Sequence, residues 1–404
     1  MELRPIISSL RHHALTATLL TLQVALTCAI VCNVAFMITR RIDEISIPSG
    51  VAENELSVVR SDGTDTNQNA QALHQVDLAA LRAIPGVRSV AAVSYALPLN
   101  REDTYGLVCT TATLSLHSKD CQISSFYDGT PHLVDTLGLH LIAGRDFLPD
   151  EYATKDHPLA AIISHTLADR LFPGQNALGR MIYMGRGPNA LRVVGIVATL
   201  LRPGLHGPGE SQLSLITSQL PDSNSEAYVL RSRPEDRERV LKAATKALFA
   251  TDPTRIIEPK YARTYEEIRA AYFQRDTTMI GLFIASALGL LFVTALGIVG
   301  LANFWVQQRR RSIGIRRAVG ATRRDILRYF QTENLLIVTT GVVLGMALAV
   351  TLNLELMKHY ELPRLPLWYL PIGALLLEVL GQAAVLLPAR RAARVAPVEA
   401  IRGQ

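Results

Sequence analysis

Four long segments of this chain are almost free of charge, and they constrain its fold more than any other feature. The segments are Leu15 to Ile38, Met279 to Val306, Leu335 to Glu355 and Leu367 to Leu387. Because about 20 apolar residues cross the hydrocarbon core of a bilayer, each segment is long enough to span a membrane. One such segment is compatible with a buried core helix, whereas four in a single chain indicate an α-helical integral membrane protein.

The composition supports this interpretation and excludes three other classes of protein. Charged residues make up 19% of the 404-residue chain and the mean hydropathy is +0.21, whereas soluble proteins contain about 25% charged residues. A disordered chain would be less apolar, and four cysteines are too few to hold a disulfide scaffold of this length. The first apolar segment is longer than a signal-peptide core and lacks a small-residue cleavage site, so we expect a retained helix.

The distribution of arginine predicts how the chain crosses the membrane. The segment 307–333 contains eight arginines and two acids, and the tail 388–404 contains four arginines and one acid. Cytoplasmic loops are enriched in Lys and Arg, so both segments and the N-terminus are predicted to be cytoplasmic. The predicted organisation is a cytoplasmic surface helix (1–14), four spans (15–38, 279–306, 334–356 and 367–387), a large outer domain (39–278), the cytoplasmic loop (307–333), an outer link (357–366) and the tail (388–404).

The outer domain alternates between helix-like and strand-like patterns, which predicts an α+β fold. Strands are predicted over Val87 to Val93, Ala160 to Ser164, Leu191 to Val197 and around Arg255 to Ile257, and helices over the stretch before Pro85, from Thr166 to Phe172 and from Pro234 to Phe249. Two polar stretches rich in Gly, Pro or small residues, 61–71 and 202–211, are predicted to be mobile loops.

The four cysteines form two pairs in the sequence. Cys109 and Cys121 lie in the outer domain with 11 residues between them, a spacing that favours a disulfide across a hairpin in an oxidising compartment, with two buried free thiols as the alternative. Cys28 and Cys32 lie one helical turn apart inside the first span. We interpret this second pair as small packing residues rather than as metal ligands.

Several kinds of catalytic and binding motif are absent from the sequence. It has no P-loop, no HExxH, no CxxC pair and no GxSxG, so an integral-membrane enzyme is the weakest interpretation and no cofactor is expected in this chain. Histidines scattered through the outer domain leave a zinc site only as a lesser alternative. The basic runs flank membrane segments, so they indicate topology and contacts with anionic lipids rather than nucleic-acid binding.

The cytoplasmic loop carries more pattern than topology requires. Ile313, Ile315, Ala318 and Val319 form an apolar patch among the arginines, the sequence Gly320–Ala321–Thr322 interrupts the helix, and a second helix begins near Arg324 and continues into the third span. A helix–glycine–helix arrangement with apolar residues on a cytoplasmic surface predicts docking to another protein.

Glu378 lies near the middle of the fourth span. A charged side chain at that depth costs roughly 2.5–3.5 kcal/mol on insertion scales and marks a functional site by default. We favour a structural pairing with a polar group on a neighbouring helix or subunit over a proton or substrate site. The candidate partners in this chain are Gln23, Asn33, Asn303 and Gln382.

Six segments of the chain resemble ABC transporter permeases of the MacB/FtsX type. The most specific are the cytoplasmic sequences IGIRRAVGATRRDILRYFQTENLL (313–336) and LLPARRAARVAPVEAIRGQ (386–404). The other four lie in the outer domain: LRAIPGVRSVAAVSYALPL (81–99), LGLHLIAGRDF (137–147), AAIISHTLADRLFPGQNALGRMI (160–182) and RVVGIV (192–197).

The resemblance implies a fold and a set of partners. The outer domain would be periplasmic, with a porter-like half (43–107 and 218–275) and an inserted half (108–217). The protein would lie in a bacterial inner membrane as a permease dimer, with ATP and Mg²⁺ bound by two ATPase subunits. Because only about 14 residues precede the first span, we expect the ATPase to be a separate subunit. The resemblance assigns ATPase coupling to Ile313, Gly314, Ile315, Arg316, Arg317, Ala318, Gly320, Ala321, Thr322, Arg323 and Arg324.

One position departs from the family pattern, and the cargo stays open. Ser312 stands where the family usually has Glu before Ile-Gly, which removes a salt bridge and is compatible with pairing to a different permease. The leading hypothesis is mechanotransmission in a tripartite efflux machine with a periplasmic adaptor and an outer-membrane channel. The alternatives are extraction of lipoproteins or another envelope substrate, and regulation of a cell-wall hydrolase.

Overall fold

The computed structural model describes residues 14–64, 69–102, 104–112, 120–152, 160–184, 189–205, 209–223, 225–360 and 364–394. The chain forms two compact units. The membrane unit comprises Met1–Ser46 and Arg275–Gln404, and the outer domain comprises Ile47–Gln274. The predicted surface helix over 1–14 lies outside the described residues except for Ala14, and so do the last ten residues of the predicted tail.

Ten α-helices and eleven β-strands are present in the described part of the chain. The helices are α1 (Ala14–Ile45), α2 (Ala70–Arg82), α3 (Leu133–Leu137), α4 (His165–Leu171), α5 (Arg237–Thr251), α6 (Tyr265–Tyr272), α7 (Gln274–Gln308), α8 (Arg310–Ala318), α9 (Arg323–Tyr360) and α10 (Tyr369–Ala393). The strands are β1 (Leu56–Asp62), β2 (Val87–Val93), β3 (Tyr105–Cys109), β4 (Cys121–Asp128), β5 (Leu141–Gly144), β6 (Ala160–Ser164), β7 (Met181–Met184), β8 (Asn189–Val197), β9 (Ser214–Thr217), β10 (Ser225–Ser232) and β11 (Ala262–Thr264).

Four helices, α1, α7, α9 and α10, are long and apolar enough to cross a membrane. Each contains one of the uncharged segments of the sequence. Helices α7 and α9 extend beyond their apolar segments at both ends, and α1 continues past its apolar segment to Ile45. The helix predicted to begin near Arg324 and the third span are a single helix, α9.

Helices α1, α9 and α10 approach one another closely at glycines. An added Cβ at Gly345 on α9 would lie 2.5 Å from the Cβ of Cys28, and one at Gly373 on α10 would overlap the sulfur of Cys32. Small residues permit such close contact between helices in lipid, where burying apolar side chains provides no hydrophobic driving force. Helix α7 buries only four of its residues among the described part of the chain: Thr294, Ile298, Ala302 and Trp305.

The outer domain is built on two sheets. The first is antiparallel with the order β11-β1-β10-β2, and the second has the order β5-β8-β6-β9-β4-β3-β7. In the second sheet β7 also pairs with β8, so six of its strands close into a ring. One apolar cluster joins a face of the first sheet to the second sheet, and a separate cluster fixes α2 and α5 against the opposite face of the first sheet.

The structure departs from the predicted outer domain at three places. The predicted strand around Arg255 to Ile257 is reduced to a single bridge between Asp62 and Ile256, because Arg255 turns into the core. The predicted loop 202–211 begins with a fully buried residue, Arg202, whose Nε donates to Ser125 Oγ at 2.6 Å. The predicted boundary at 107/108 divides β3, which belongs as a whole to the second sheet.

Candidate functional site

The predicted coupling segment folds into a short helix, a turn and the start of a long helix. Helix α8 ends at Ala318, and Gly320 follows with a φ of +108°, a left-handed conformation that favours glycine. Helix α9 then begins with a reciprocal cap, in which the Thr322 hydroxyl donates to Asp325 Oδ2 at 2.6 Å and accepts from the Asp325 backbone N–H at 3.3 Å. Gly320 therefore suits the left-handed backbone of the turn, and Thr322 and Asp325 suit the start of α9.

The inner face of α8 is fixed to the membrane unit by apolar packing. Ile313 is 5% exposed and belongs to a cluster with Ile326 and Phe330 of α9. The other members come from the end of α10, namely Ala389, Ala392 and Ala393. The Pro-Ala-Arg-Arg-Ala-Ala run of the tail therefore presents its alanines to the predicted coupling segment, a contact that no local sequence pattern indicates.

A buried ion pair adds a second attachment. Arg309, which lies between α7 and α8, donates from Nη1 to both carboxylate oxygens of Glu333, at 2.8 and 3.0 Å. The side chain of Glu333 is only 1% exposed and that of Arg309 is 15% exposed. In the sequence both residues stand out only as charges that flank membrane segments. An acid directly before the predicted third span, with a cation shortly after the predicted second span, is the signal that the sequence offers for this pair.

The outer face of α8 is exposed and carries apolar and cationic side chains. Val319 is 84% exposed and Ile315 is 49% exposed, and Arg316 stacks over the ring of Tyr329 with its Cζ 5.0 Å from the centroid. The predicted apolar patch therefore divides, because Ile313 faces inward while the other members face outward. Of the eleven residues assigned to coupling, Ile313 and Gly314 are buried, Arg317 and Ala321 are half-buried, and Ile315, Arg316, Ala318, Gly320, Thr322, Arg323 and Arg324 are exposed.

Ser312 lies beside this surface. It lines a small crevice of about 30 Å³ together with Arg309, Ile313, Arg316 and Tyr329. A glutamate in its place would be one helical turn from Arg316, which is the spacing of a helical salt bridge. The serine thus leaves the guanidinium of Arg316 without that carboxylate.

Glu378 accepts a hydrogen bond from a residue that was not among its predicted partners. Thr339 of α9 donates its hydroxyl to Glu378 Oε1 at 2.6 Å. Glu378 Oε2 and the neighbouring Gln382 Nε2 are buried and have no hydrogen-bond partner among the described residues. Threonine was missed because its hydroxyl is also able to bond to its own helix, so the sequence does not mark it as an interhelical group.

The two cysteine pairs occupy different surroundings. Cys109 and Cys121 face each other at the end of the β3–β4 ladder with their Cα atoms 4.0 Å apart and their sulfur atoms at bonding distance, 1.99 Å. Cys28 and Cys32 are buried between α1, α9 and α10, where their sulfur atoms lie 3.9 and 3.8 Å from backbone oxygens. Within the described ranges, no group of three or more His, Cys, Asp or Glu side chains is arranged to hold a metal ion.

Comparison with known families assigns both units. The MacB-like periplasmic core domain matches residues 14–247, and the FtsX-like permease C-terminal domain matches residues 283–397. The first match alone covers more than half of the chain, and the second contains the whole coupling segment.

Individual relatives agree with this assignment. The chain is 24% identical over 347 residues to YknZ of Bacillus subtilis, described as an uncharacterized ABC transporter permease, with 83% of this chain and 81% of the relative covered. It is 27% identical over 301 residues to the macrolide export ATP-binding/permease protein MacB of Neisseria meningitidis, with 72% of this chain covered. The chain spans 45% of the length of that MacB.

Two solved structures resemble part of this chain at low similarity. The extracellular domain of YknZ covers 50% of this chain and 99% of its own length with 14% identity and a TM-score of 0.33. The periplasmic region of MacB from Actinobacillus actinomycetemcomitans covers 56% of this chain and 97% of its own length with 14% identity and a TM-score of 0.35. The two domain matches place this chain in the family of ABC transporter permeases that combine a MacB-like periplasmic core domain with an FtsX-like permease domain.

Proposed function

We propose that α8 and the turn at Gly320 dock into a separate ABC ATPase subunit, which binds ATP and Mg²⁺ and drives this permease. The observation that supports this is the two-sided nature of α8. Its inner face is anchored by Ile313 and by the Arg309–Glu333 ion pair, while Val319 and Ile315 are exposed on the other side. Because α8 is anchored in this way, a force applied to its outer face would be transmitted to α9 and α10.

One relative is consistent with a separate ATPase. YknZ is described as a permease, and 81% of its length is covered by this chain. We further propose that the complex contains two permease chains, either identical or different, and lies in a bacterial inner membrane with both termini and α8 on the cytoplasmic side. The arginines around α8 would also contact anionic lipids there.

The wider assembly that we propose is a tripartite efflux machine. ATP-driven closure of the ATPase subunits would move α8 and the membrane helices, and the outer domain would act on cargo together with a periplasmic adaptor and an outer-membrane channel. The names of two relatives support export, because one is a macrolide export protein and another, from Pseudomonas entomophila, is a pyoverdine export protein.

The docking proposal is tested by purifying the tagged permease from its native membranes and measuring ATP hydrolysis by the ATPase that co-purifies. Val319→Asp and Gly320→Leu are expected to remove most of this activity while membrane insertion is unchanged. Val76→Asp is the matched control, since Val76 is an exposed valine of the outer domain. An ATPase complex that survives both changes at α8 with full activity would refute the docking proposal.

The efflux proposal is tested separately by cross-linking the outer domain in intact cells. Cross-links to an adaptor protein support efflux. Cross-links to a lipoprotein carrier instead indicate extraction of an envelope substrate, and cross-links to a cell-wall hydrolase indicate regulation of that enzyme. Either of the last two results would replace the efflux proposal without affecting the docking of α8.

A further inference from the structure

The outer domain contains a cavity that the coupling mechanism does not use. It has a volume of about 200 Å³ and lies between the first sheet, the loop after β2 and helix α6. An engineered apolar cavity of about 150 Å³ is large enough to bind benzene, so this cavity has room for an aromatic ring or a short aliphatic chain.

The floor of the cavity is apolar and well buried. Leu97 and Leu99 are each 1% exposed, and Val58 and Ala227 of the first sheet are 5% and 3% exposed. A pocket with such a floor favours an apolar body, and convergent polar groups at the opening then fix its orientation.

The rim is mainly cationic and aromatic, with one acid, Glu102. The Cζ of Arg60 lies 4.0 Å from the ring centroid of Tyr95 and 4.9 Å from that of Tyr261, so its guanidinium is held between two rings. Arg101 lies over Tyr272 at 5.3 Å and donates to the Tyr272 carbonyl oxygen at 2.9 Å. Aromatic stacking leaves the edge of a guanidinium available for a carboxylate.

The charges at the rim do not balance. Arg60 lies 3.4 Å from Asp62 and 3.5 Å from Glu102, and Lys260 pairs with Glu258 at 2.6 Å. The two remaining cations that line the cavity are Arg101 and Arg263. Neither forms an ion pair with any residue that the structure describes.

The loop that builds one wall is held in an unusual conformation. Tyr95, Leu99 and Arg101 have φ values of +57°, +63° and +68°, although none is glycine and such angles cost roughly 1 kcal/mol or more each. The loop is fixed by the Tyr265 hydroxyl, which donates to the Pro98 carbonyl oxygen at 2.6 Å, and by the Arg101 backbone N–H, which donates to the Pro203 carbonyl oxygen at 3.0 Å. Strain maintained in this way occurs mostly at binding sites.

We propose that this cavity binds a small amphipathic organic acid, whose apolar part fills the space above Leu97 and Leu99 and whose carboxylate pairs with Arg101 and Arg263. The acidic head satisfies the cations that lack a carboxylate partner, and the apolar part displaces water from the buried floor. This site does not depend on the proposed docking of the ATPase. Helix α6, which contributes Ile268 and Tyr272 to the cavity, directly precedes α7 in the chain.

The test uses the full-length chain in neutral phosphatidylcholine nanodiscs, with empty nanodiscs as the background. The probe is para-trifluoromethyl-phenylacetate, followed by fluorine NMR, and its uncharged amide is the matched ligand. We expect saturable binding of the acid at least about tenfold tighter than binding of the amide, because only the acid forms charge-assisted hydrogen bonds with arginine. Equal affinities for the two ligands, or no binding above the background, would overturn the proposal.

Variants of the chain locate the site. The double change Arg101→Gln and Arg263→Gln is expected to remove the preference for the acid over the amide, whereas Arg233→Gln, at an exposed arginine outside the cavity, is expected to preserve it. Ala271→Trp, at an exposed position on the rim, is expected to block both ligands without disturbing the core. Undiminished binding of the acid to a folded Ala271→Trp protein would show that the ligand binds elsewhere.

Discussion

In the outer domain a buried ion pair joins several elements of the fold, whereas within the lipid-spanning part of the membrane unit the helices are joined by glycine contacts and by described hydrogen bonds that, apart from Thr339–Glu378, connect neutral groups. Arg255 and Asp77 form two hydrogen bonds of 2.9 Å, and their side chains are 1% and 0% exposed. The same carboxylate accepts from Tyr228 of β10 at 2.6 Å and from Thr251 of α5 at 2.5 Å. Each oxygen of the Asp77 carboxylate therefore accepts two hydrogen bonds.

The membrane helices use weaker groups. The hydroxyls of Thr27 on α1 and Thr294 on α7 lie 2.8 Å apart, and Asn33 of α1 donates to the Ala349 carbonyl oxygen of α9 at 3.1 Å. Between α9 and α10, Asn334 donates to the Gly381 carbonyl oxygen at 3.0 Å. Neutral groups of this kind cost less than ions to place in hydrocarbon, and each contributes only about 1 kcal/mol to helix association.

This difference in polar contacts indicates which substitutions each unit tolerates. A charge network that is fully satisfied makes one folded arrangement unique, and it becomes strongly unfavourable when one member is removed. Neutral contacts and close glycine packing allow helices to shift slightly, provided that no side chain is added at the contact. In the membrane unit the buried ion pair, Arg309–Glu333, lies next to the proposed docking surface.

The largest effect is expected from Asp77→Ala, which leaves the guanidinium of Arg255 buried without a carboxylate. Loss of one member of a buried pair costs about 3–5 kcal/mol in the free energy of unfolding. The measurement is denaturant unfolding of the full chain in detergent, followed by proteolysis of the outer domain. Asp236→Ala is the control, because the Asp236–Arg239 pair lies at the surface, with side chains 27% and 54% exposed, and such pairs contribute about 0–1 kcal/mol. Equal losses of unfolding free energy in the two variants would show that the buried Asp77–Arg255 pair contributes no more to the outer domain than a surface pair does.

The next largest effect concerns the cysteines. Cys109 and Cys121 lie in the outer domain, whereas Cys28 and Cys32 lie in the membrane unit. We expect Cys109 and Cys121 to be joined by a disulfide, and replacing both with serine is expected to cost about 2–4 kcal/mol because the unfolded chain is then less constrained. Alkylation after unfolding without reductant, read by mass spectrometry, should label Cys28 and Cys32 alone. Labelling of all four cysteines would contradict the disulfide.

A smaller loss is expected from Gly345→Leu in α9. The new Cβ would meet Cys28 Cβ at 2.5 Å and the Ala25 carbonyl oxygen at 2.6 Å, so α1 and α9 must separate, at a cost of about 1–3 kcal/mol. Gly289→Leu in α7 is the matched control, since an added Cβ there has no atom within 4 Å among the described residues. The measurement is the temperature at which the detergent-solubilised protein loses its monodisperse elution peak. The two leucine variants should differ clearly, and matching temperatures would argue against close packing at Gly345.

The smallest effect is a pH dependence in the outer domain. Burial raises the pKa of Glu226 from 4.5 to about 9, with repulsion from Asp128 adding to the shift. The folded protein then retains a proton that the unfolded chain releases, so stability falls as the pH rises between about 4.5 and about 9. Glu226→Gln is expected to reduce this fall in the free energy of unfolding by about 1 kcal/mol between pH 5 and pH 6. An unchanged slope in unfolding experiments would show that Glu226 ionises normally in the fold.

Much of the architecture was predictable from local sequence patterns. The four spans follow from uninterrupted apolar length, and strands such as β2 and β6 and helices such as α5 follow from their residue periodicity. The turn at Gly320 was also predictable, because glycine tolerates its φ of +108°. These features depend on neighbours within one or two turns of the chain, which is the range over which a sequence pattern carries information.

Part of the candidate site was not predictable in this way. The tail alanines that pack on α8 are about 75 residues away in the sequence, and the partner of Glu378 proved to be Thr339 on another helix. The apolar patch at α8 was predicted as one surface. In the structure Ile313 is buried, whereas Val319, directly after α8, is exposed. Such outcomes depend on which helices become neighbours.

The sequence by itself determined that this chain crosses a membrane four times. It also determined that a large α+β domain separates the first and second spans and that a basic segment separates the second and third. Hydrophobic length, periodicity and charge act locally, and they are sufficient for these features. Only the tertiary structure decided that the tail supports α8, that Arg309 meets Glu333, and that Arg101 and Arg263 share a cavity. Each of these contacts joins residues that are distant in the chain, and long-range packing alone brings them together.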